Sequence, residues 1–207
     1  MIDELRVYRL KPGSLPDYMK FSGEIAVPFR GDRFGALLGF WFAEIGAANT
    51  AFSLWRHQDM NTRQALREEM AKSEVWRTQY QPRIQPLMQR QEIRLLNPIV
   101  SPTLGTETGR VFEIRFIRTK AGKSQELAAR LQSDLPRTFQ DETAALWTNF
   151  AGEVNEVVHL AAYRDSGARL KRSLNDPDWR DFLDKHGALV ENIDSSLMLA
   201  AGHSPLK

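Results

Sequence analysis

The stretch Glu4-Leu5-Arg6-Val7-Tyr8-Arg9-Leu10-Lys11-Pro12-Gly13 returns 109 residues later as Glu113-Ile114-Arg115-Phe116-Ile117-Arg118-Thr119-Lys120-Ala121-Gly122. The correspondence continues in order along the chain. Trp41, Gly46, Asn49 and Leu54 match Trp147, Gly152, Asn155 and Leu160 at an offset of 106, and Trp76-Arg77 matches Trp179-Arg180 at 103. Two three-residue deletions in the second copy account for the drift. An ordered series of this kind defines a tandem repeat with a period of about 100 residues. Between the copies, the stretch from Asn97 to Gly109 is rich in proline and glycine and lacks hydrophobic periodicity, so it reads as a linker. The expected organisation is a first domain over 1–98, a linker over 99–110, a second, divergent domain over 111–201 and a tail over 202–207.

Each half carries the same order of elements. Leu5 to Leu10 alternates and is rich in strand formers. Ser14-Leu15-Pro16-Asp17 has the form of a capping box, with Tyr18, Phe21, Ile25 and Phe29 at helical spacing behind it and Pro28 as the expected stop. Ala36 to Ile45 and Thr50 to His57 read as a hairpin. Asn61 or Thr62 caps a long helix carrying Leu66, Met70, Trp76, Tyr80 and Ile84, with breaks near Ser73 and Pro82. Glu92 to Leu96 closes the unit. The second half repeats this with strands at Val111–Arg118, Ala144–Ala151, Glu156–Tyr163 and Ile193–Leu199. Its helices run from Ser124 to about Arg137, and from Asp165 or Ser166 through Leu170, Leu174, Trp179, Phe182 and Leu183. The order is β-α-β-β-α-β, a ferredoxin-like unit, occurring twice.

The chain of 207 residues is 42% hydrophobic and 26% charged, ordinary globular usage that excludes disordered and fibrous classes. Its formal net charge of +2 gives no electrostatic footprint for nucleic acid. Without cysteine there is no thiolate catalysis, disulfide or cysteine-ligated metal. The first residues mix charges and lack the apolar core of a signal peptide. The longest uncharged apolar run, Phe34 to Ala43, is far short of the roughly 20 residues that span a bilayer. A cytoplasmic protein without a membrane span is expected.

Glu4-Leu5-Arg6 through Lys11-Pro12-Gly13, then Gly39-Phe40-Trp41 with Glu44-Ile45-Gly46, Leu54-Trp55, Trp76 and Arg94-Leu95-Leu96-Asn97-Pro98 together resemble the NIPSNAP family. The resemblance covers Glu4 to Pro98 well and Phe112 to about Leu199 more weakly, and it lies in order and spacing rather than in any single motif. It implies an α+β fold: two tandem ferredoxin-like (β-α-β-β-α-β) domains whose antiparallel sheets pair into a dimeric α/β-barrel arrangement, which two copies in one chain can build internally. It implies no particular reaction.

Four antiparallel strands with helices on one face leave the other face to be covered. Alternation along the first strand then sets Leu5 and Val7 on one face and Glu4, Arg6 and Tyr8 on the other. The expectation is that the apolar pair faces the helices and the polar set faces the barrel interior, where charge needs a partner, water or a ligand. The lining expected from the first half is Arg6, Tyr8, Trp41, Ser53, Trp55, His57 and Arg94, with Arg115, Trp147 and His159 from the second. Arg6, Tyr8, Trp41, Trp55, Arg94, Arg115 and His159 are the candidate ligand-binding residues of an aromatic pocket with a few convergent polar groups. The same residues also read as structural ion pairs, Glu4–Arg6 and Glu113–Arg115, with tryptophans filling a core, and a bulge in a strand would reverse the facing. At the 103–109 offsets Tyr8, Trp55 and Arg94 meet Ile117, Ala161 and Leu197, which fits one copy retaining a pocket and fits relaxed packing equally well.

No other pattern carries chemistry. His57, His159, His186 and His203 lie in no metal-ligand spacing, so no metal or cofactor is expected. His159, central in its strand, reads as an acid–base group or as a packed histidine, and His203 falls in a loose tail. Gly122-Lys123-Ser124 opens a helix after a strand, but the glycine a phosphate loop needs is replaced by Ile117, leaving a turn. Arg63, Arg67, Glu68, Glu69, Lys72, Glu74 and Arg77 alternate in sign along the long helix and read as a solvated face. The sequence therefore points to a protein that binds a small, partly apolar molecule, an acidic one being held by Arg6 or Arg115. The alternative is a non-catalytic oligomeric scaffold whose strand edges and helix faces form a homo-oligomer. A cofactor-independent monooxygenase rests on fold analogy alone, and no catalytic residue is assigned.

Overall fold

Strand-forming residues alternate through β1 (Ile2–Leu10), and one order of elements then runs twice. In the first half β1 is followed by α1 (Leu15–Phe21), α2 (Val27–Arg30), the hairpin β2 (Ala36–Ile45) and β3 (Thr50–His57), α3 (Met60–Lys72), α4 (Gln81–Ile84) and β4 (Met88–Val100). In the second, β5 (Val111–Thr119) precedes α5 (Ser124–Ser133), α6 (Arg137–Asp141), β6 (Thr143–Ala151), β7 (Glu156–Tyr163), α7 (Ser166–Lys171), α8 (Pro177–His186) and β8 (Val190–Ala200). The computed structural model describes residues 1–104, 110–172 and 176–207. Positions 105–109 of the expected linker, and Leu174, lie outside the described residues.

The strands close an antiparallel barrel in the order β1-β3-β2-β8-β5-β7-β6-β4. Each half supplies four neighbouring strands, and the seams are β2 against β8 and β4 against β6. The two halves thus pair within one chain. Register repeats as well as order: Arg6 lies opposite Ser53, and Arg115 opposite His159. On the closing strands Leu5 pairs with Arg94 and Ile114 with Ser196. The counterpart of Arg94 is therefore Ser196, not the Leu197 that the sequence offset implies.

The facing of the first strand is the reverse of the expectation. Leu5 and Val7 point inward and join Trp41, Phe52, Leu54, Leu96, Phe112, Ile114, Trp147, Val158, Leu160 and Met198 in one core inside the barrel. Glu4, Arg6 and Tyr8 point outward beneath the helices, where Glu4 meets Arg63 of α3 and Tyr8 packs with Tyr18, Phe40, Tyr80 and Ile84. Alternation decides which residues share a face but not which face is dry. A closed barrel gives a buried charge no helix to pair with, whereas α3 and α7 each bring an arginine to the outer layer. Each large side chain buried in the barrel stabilises the fold by roughly 1.5–3 kcal/mol.

Two buried carboxylates do face the barrel, Asp3 in its wall and Glu156 at its mouth. Asp3, fully buried, accepts from Arg56 Nε at 2.7 Å and Nη2 at 2.8 Å, and from Trp147 Nε1 of the other half at 2.8 Å. At the related position Phe112 replaces Asp3 and packs 5.5 Å from Trp41, whose Nε1 has no hydrogen-bond partner among the described residues.

Several local expectations are corrected. Asp59, not Asn61 or Thr62, caps α3 by accepting from Thr62 N at 2.8 Å. Ser14 makes no side-chain cap. Pro28 does not end its helix, because a wide π-type turn at Ser22–Ala26 lets it stand in the first turn of α2, where its missing N–H is not needed. Gly31, at φ 47°, ends that segment instead. β4 carries its pairing through Val100, so Ile99 and Val100 belong to the sheet rather than to a linker. The tail is packed rather than loose. Ser204 Oγ accepts from Phe40 N at 2.8 Å, His203 stands edge-on to Phe40, and Leu206 enters the barrel core.

Replacing Asp3 tests the link between the halves. Asp3→Ala leaves the buried Trp147 Nε1 without an acceptor and strips Arg56 of its partner, so the unfolding free energy should fall by about 2–4 kcal/mol in urea denaturation. Asp3→Asn, which keeps an acceptor for Trp147, should lose clearly less; equal losses would show that the tryptophan bond contributes nothing.

Candidate functional site

Glu4 and Arg6 stand two residues apart on β1, so both side chains reach the helix layer and pair with each other. Arg63, one turn into α3, donates to the other carboxylate oxygen of Glu4, and Arg67 Nη1 approaches to 4.0 Å. Burial alone would raise the Glu4 carboxyl, but Arg6 and Arg63 outweigh it and hold the group below its ordinary value, fully ionised at neutral pH. Above this cluster the sheet and the helices α1, α2 and α4 enclose a cavity of about 150 Å³. Arg6, Tyr8, Ser53 and Trp55 line it from the strands, Tyr18 and Arg30 from the first helices, and Trp76 and Tyr80 from the turn before α4.

Charge in this layer does not balance. Arg6, Arg30 and Arg63 are all buried, and the carboxylate that pairs with Arg6 and Arg63 is that of Glu4 alone. Arg6 Nη1 donates to Tyr8 OH at 3.2 Å, while its Nη2 has no acceptor among the described residues. Arg30 lies with its guanidinium carbon 3.2 Å from the Trp55 ring centroid, donates from Nη2 to Phe34 O at 2.6 Å, and leaves Nε without a partner there. Burial, and after it the positive Arg6, pull the Arg30 guanidinium down to about 9, so it is charged at neutral pH without a counter-ion of its own. Burial pushes Tyr80 up to about 12 and lifts Tyr18 above its ordinary value, so both remain neutral hydroxyls. His57, buried and lacking a partner on either ring nitrogen among the described residues, is held neutral chiefly by burial.

The second half repeats the frame with its charges paired, beside a cavity of about 210 Å³ lined by Arg115, Phe139, Arg172 and Trp179. Glu113 pairs with Arg115 and with Arg169 of α7, as Glu4 does with Arg6 and Arg63. Arg172, however, brings two further carboxylates, Glu142 at 2.7 Å and Asp176 at 3.0 Å, so three arginines here meet three acids. Arg115 is also saturated. Nη2 donates to Tyr163 OH at 2.9 Å, and Nη1 meets His159 Nδ1 at 3.1 Å. Arginine only donates, so His159 Nδ1 accepts and the proton sits on Nε2, which donates to Thr143 Oγ1 at 3.0 Å. Burial first, and Arg115 second, hold His159 well below its ordinary value.

The candidate residues named from sequence thus fall in four places. Arg6, Tyr8 and Trp55 share the first-half cavity, and Arg115 and His159 bond to each other in the second-half layer. Trp41 lies inside the barrel. Arg94 lines the barrel mouth, bonded to Glu156 at 2.8 Å and beside Glu92 at 3.3 Å. That mouth holds a larger cavity, about 430 Å³, but the side chains of Arg94 and Glu156 already satisfy one another there. Sequence reasoning missed Arg30 and Arg63. Arg63 has a legible signal, since it and Arg169 occupy matching places in the repeat; Arg30 has none.

A closed antiparallel barrel made from two β-α-β-β-α-β units, with helices outside and a cavity beneath them, is the dimeric α/β-barrel architecture built within one chain. The family model described as NIPSNAP matches residues 3–102 and again 112–205, and the chain belongs to the NIPSNAP family. Among its relatives is the protein NipSnap homolog of Dictyostelium discoideum, 23% identical over 208 residues that cover 95% of this chain and 86% of that one. Human protein NipSnap homolog 2 is 31% identical over 103 residues, 50% of this chain and 35% of its own, so the match spans about a third of that protein. The solved structure of a candidate monooxygenase from Fusobacterium nucleatum superposes with a TM-score of 0.69 over 97% of this chain and 92% of its own, at 13% identity, a likeness of fold alone. Among the described residues no helix is long and apolar enough to cross a membrane.

The histidine geometry gives a pH signature. Unfolded His159 takes up a proton near its ordinary 6.5 and the folded residue only well below that, so the unfolded state binds more protons in between and stability falls as pH drops below about 6.5. The loss attributable to this group approaches about 1.4 kcal/mol per pH unit. Urea denaturation at about pH 7.5 and 5.5 should show a shallower pH dependence in His159→Gln than in the parent; identical slopes would contradict a neutral, buried His159.

Proposed function

We propose that the first-half cavity binds a small planar acid, with its carboxylate between Arg6 and Arg30 and its ring against Trp55, Tyr8 and Tyr80. The charge count carries this reading: of three buried guanidinium groups, Arg6 and Arg63 share the Glu4 carboxylate and Arg30 has none among the described residues, while Arg6 and Arg30 line the cavity with an unpartnered N–H each. A buried cation without a counter-ion is costly, and an anion delivered by a ligand relieves that cost. The volume of about 150 Å³ suits one benzene-sized ring. The lining holds no carboxylate or imidazole to move a proton at neutral pH, so binding is preferred here to turnover. A two-domain organisation that follows the sequence repeat, a cytoplasmic setting and self-association through helix faces belong to the same proposal; the closed barrel leaves no strand edge for it.

Calorimetric titration with benzoate tests it. Benzoate should bind one site per chain, and the neutral isostere benzamide should bind more weakly by about tenfold or more. Arg6→Gln and Arg30→Gln should each cost about 10–100-fold in benzoate affinity, the loss expected for a charge-assisted hydrogen bond. Equal affinity for benzoate and benzamide, or an unchanged affinity in Arg6→Gln, would overturn the assignment.

A further inference from the structure

The two halves differ at one register position in a way that explains why Arg6 keeps an unpartnered N–H and Arg115 does not. Ser53 lies opposite Arg6 and His159 opposite Arg115, so the two side chains occupy the same place on β3 and β7. Ser53 turns its hydroxyl to Trp55 Nε1, 3.1 Å away, and Arg6 Nη2 is left without an acceptor among the described residues. His159 instead presents its Nδ1 to Arg115 Nη1 at 3.1 Å. Its ring lies near-parallel to Phe139, with 6.0 Å between centroids and 16° between planes, and Phe139 in turn stacks on Trp179. An imidazole with an edge acceptor on a guanidinium and a face toward an aromatic ring is held as a free heterocycle would be.

Resting on the binding reading above, we propose that His159 is a built-in ligand. It meets in the second half the guanidinium that an external ring meets in the first, while a cavity of about 210 Å³ that it does not line remains beside Arg115, Phe139 and Trp179. The residue at this position, serine or histidine, decides whether the strand arginine is free to bind. The charge balance then sets the class of ligand for each. The second half, where Arg115, Arg169 and Arg172 meet Glu113, Glu142 and Asp176, suits a neutral azole. The first half, with its excess of guanidinium, suits a ring that carries a negative charge. An edge acceptor on the first-half ligand is directed at Arg6 Nη2 beside Ser53. The strand guanidinium of the wild-type chain is therefore open to a ligand in one half, not two.

The test removes the built-in ring and offers it back. His159→Ala in the full chain should be less stable than the parent, and imidazole at about pH 8, where it is mostly neutral, should raise its melting temperature by roughly 3–6 °C at ten times its dissociation constant. The parent should show no such rise. Folding of His159→Ala only with imidazole present supports the proposal in its strongest form. If that variant fails to fold under either condition, His159→Ser, which places the first half's own residue at this position, is scored by the same shift. An equal response of parent and variant to imidazole, or none in either, overturns the proposal while leaving benzoate binding by the parent standing. Rescue by imidazole in a chain that ignores benzoate upholds the proposal for the second half and overturns the first-half reading instead. The reciprocal change, Ser53→His, should keep the fold and lower benzoate affinity by about tenfold or more; unchanged affinity in a folded Ser53→His contradicts the shared role of this position.

Discussion

In each half one buried carboxylate is shared between a strand arginine and a helix arginine: Glu4 between Arg6 and Arg63, Glu113 between Arg115 and Arg169. Burying these groups is affordable only because they arrive together, and removing one member of such a buried pair costs on the order of 3–5 kcal/mol. The pairing draws α3 and α7 onto the sheet and fixes which face of every strand lies beneath helices. With these charges committed to that layer, the opposite face is mostly apolar, apart from Asp3 and the Arg94–Glu156 pair, and eight strands close around a core of Leu5, Val7, Trp41, Trp147 and their neighbours.

The same frame then ends in two different states. In the second half Arg172 imports Glu142 and Asp176, His159 and Tyr163 bond to Arg115, and each of the three layer arginines has a carboxylate partner. In the first half Arg30 arrives without an acid and stacks on Trp55, and Ser53 offers Arg6 nothing. Positive potential therefore collects at one cavity of the molecule. The Asp3–Trp147 bond, one of the polar ties across the halves beside the Arg94–Glu156 pair, has no twin, because Phe112 stands where a second aspartate would be. Duplication supplied the geometry twice, and substitutions at a few positions give the halves different chemistry.

Much of the fold is legible in the residues. The offsets 109, 106 and 103 give the repeat, and alternation in β1 together with the hairpin turns gives the order of elements. What alternation does not give is the dry face. Leu5 and Val7 look like a helix-facing pair until the barrel is closed, because the decision depends on Arg63 and Arg169, sixty residues away in sequence terms of order only. Arg63 reads as part of a solvated, sign-alternating helix, yet it is buried because Glu4 lies under its first turn. The position of Arg94 misleads for a different cause: one further residue is lost in the second copy between Trp179 and β8, so the closing strands are related by an offset of 102 rather than 103. Of the site, Arg6, Tyr8 and Trp55 were accessible from strand position alone, whereas Arg30 follows a π-type turn and Pro28, and only the three-dimensional path of that segment brings it over Trp55.

The most direct measurement is a crystal structure with 4-bromobenzoate, whose bromine marks the ligand by anomalous scattering. The account predicts one site per chain, with the carboxylate on Arg6 and Arg30 and the ring beside Trp55. A bromine site in the second-half layer or at the barrel mouth, with the first-half cavity unoccupied at a concentration that saturates binding in solution, would contradict it.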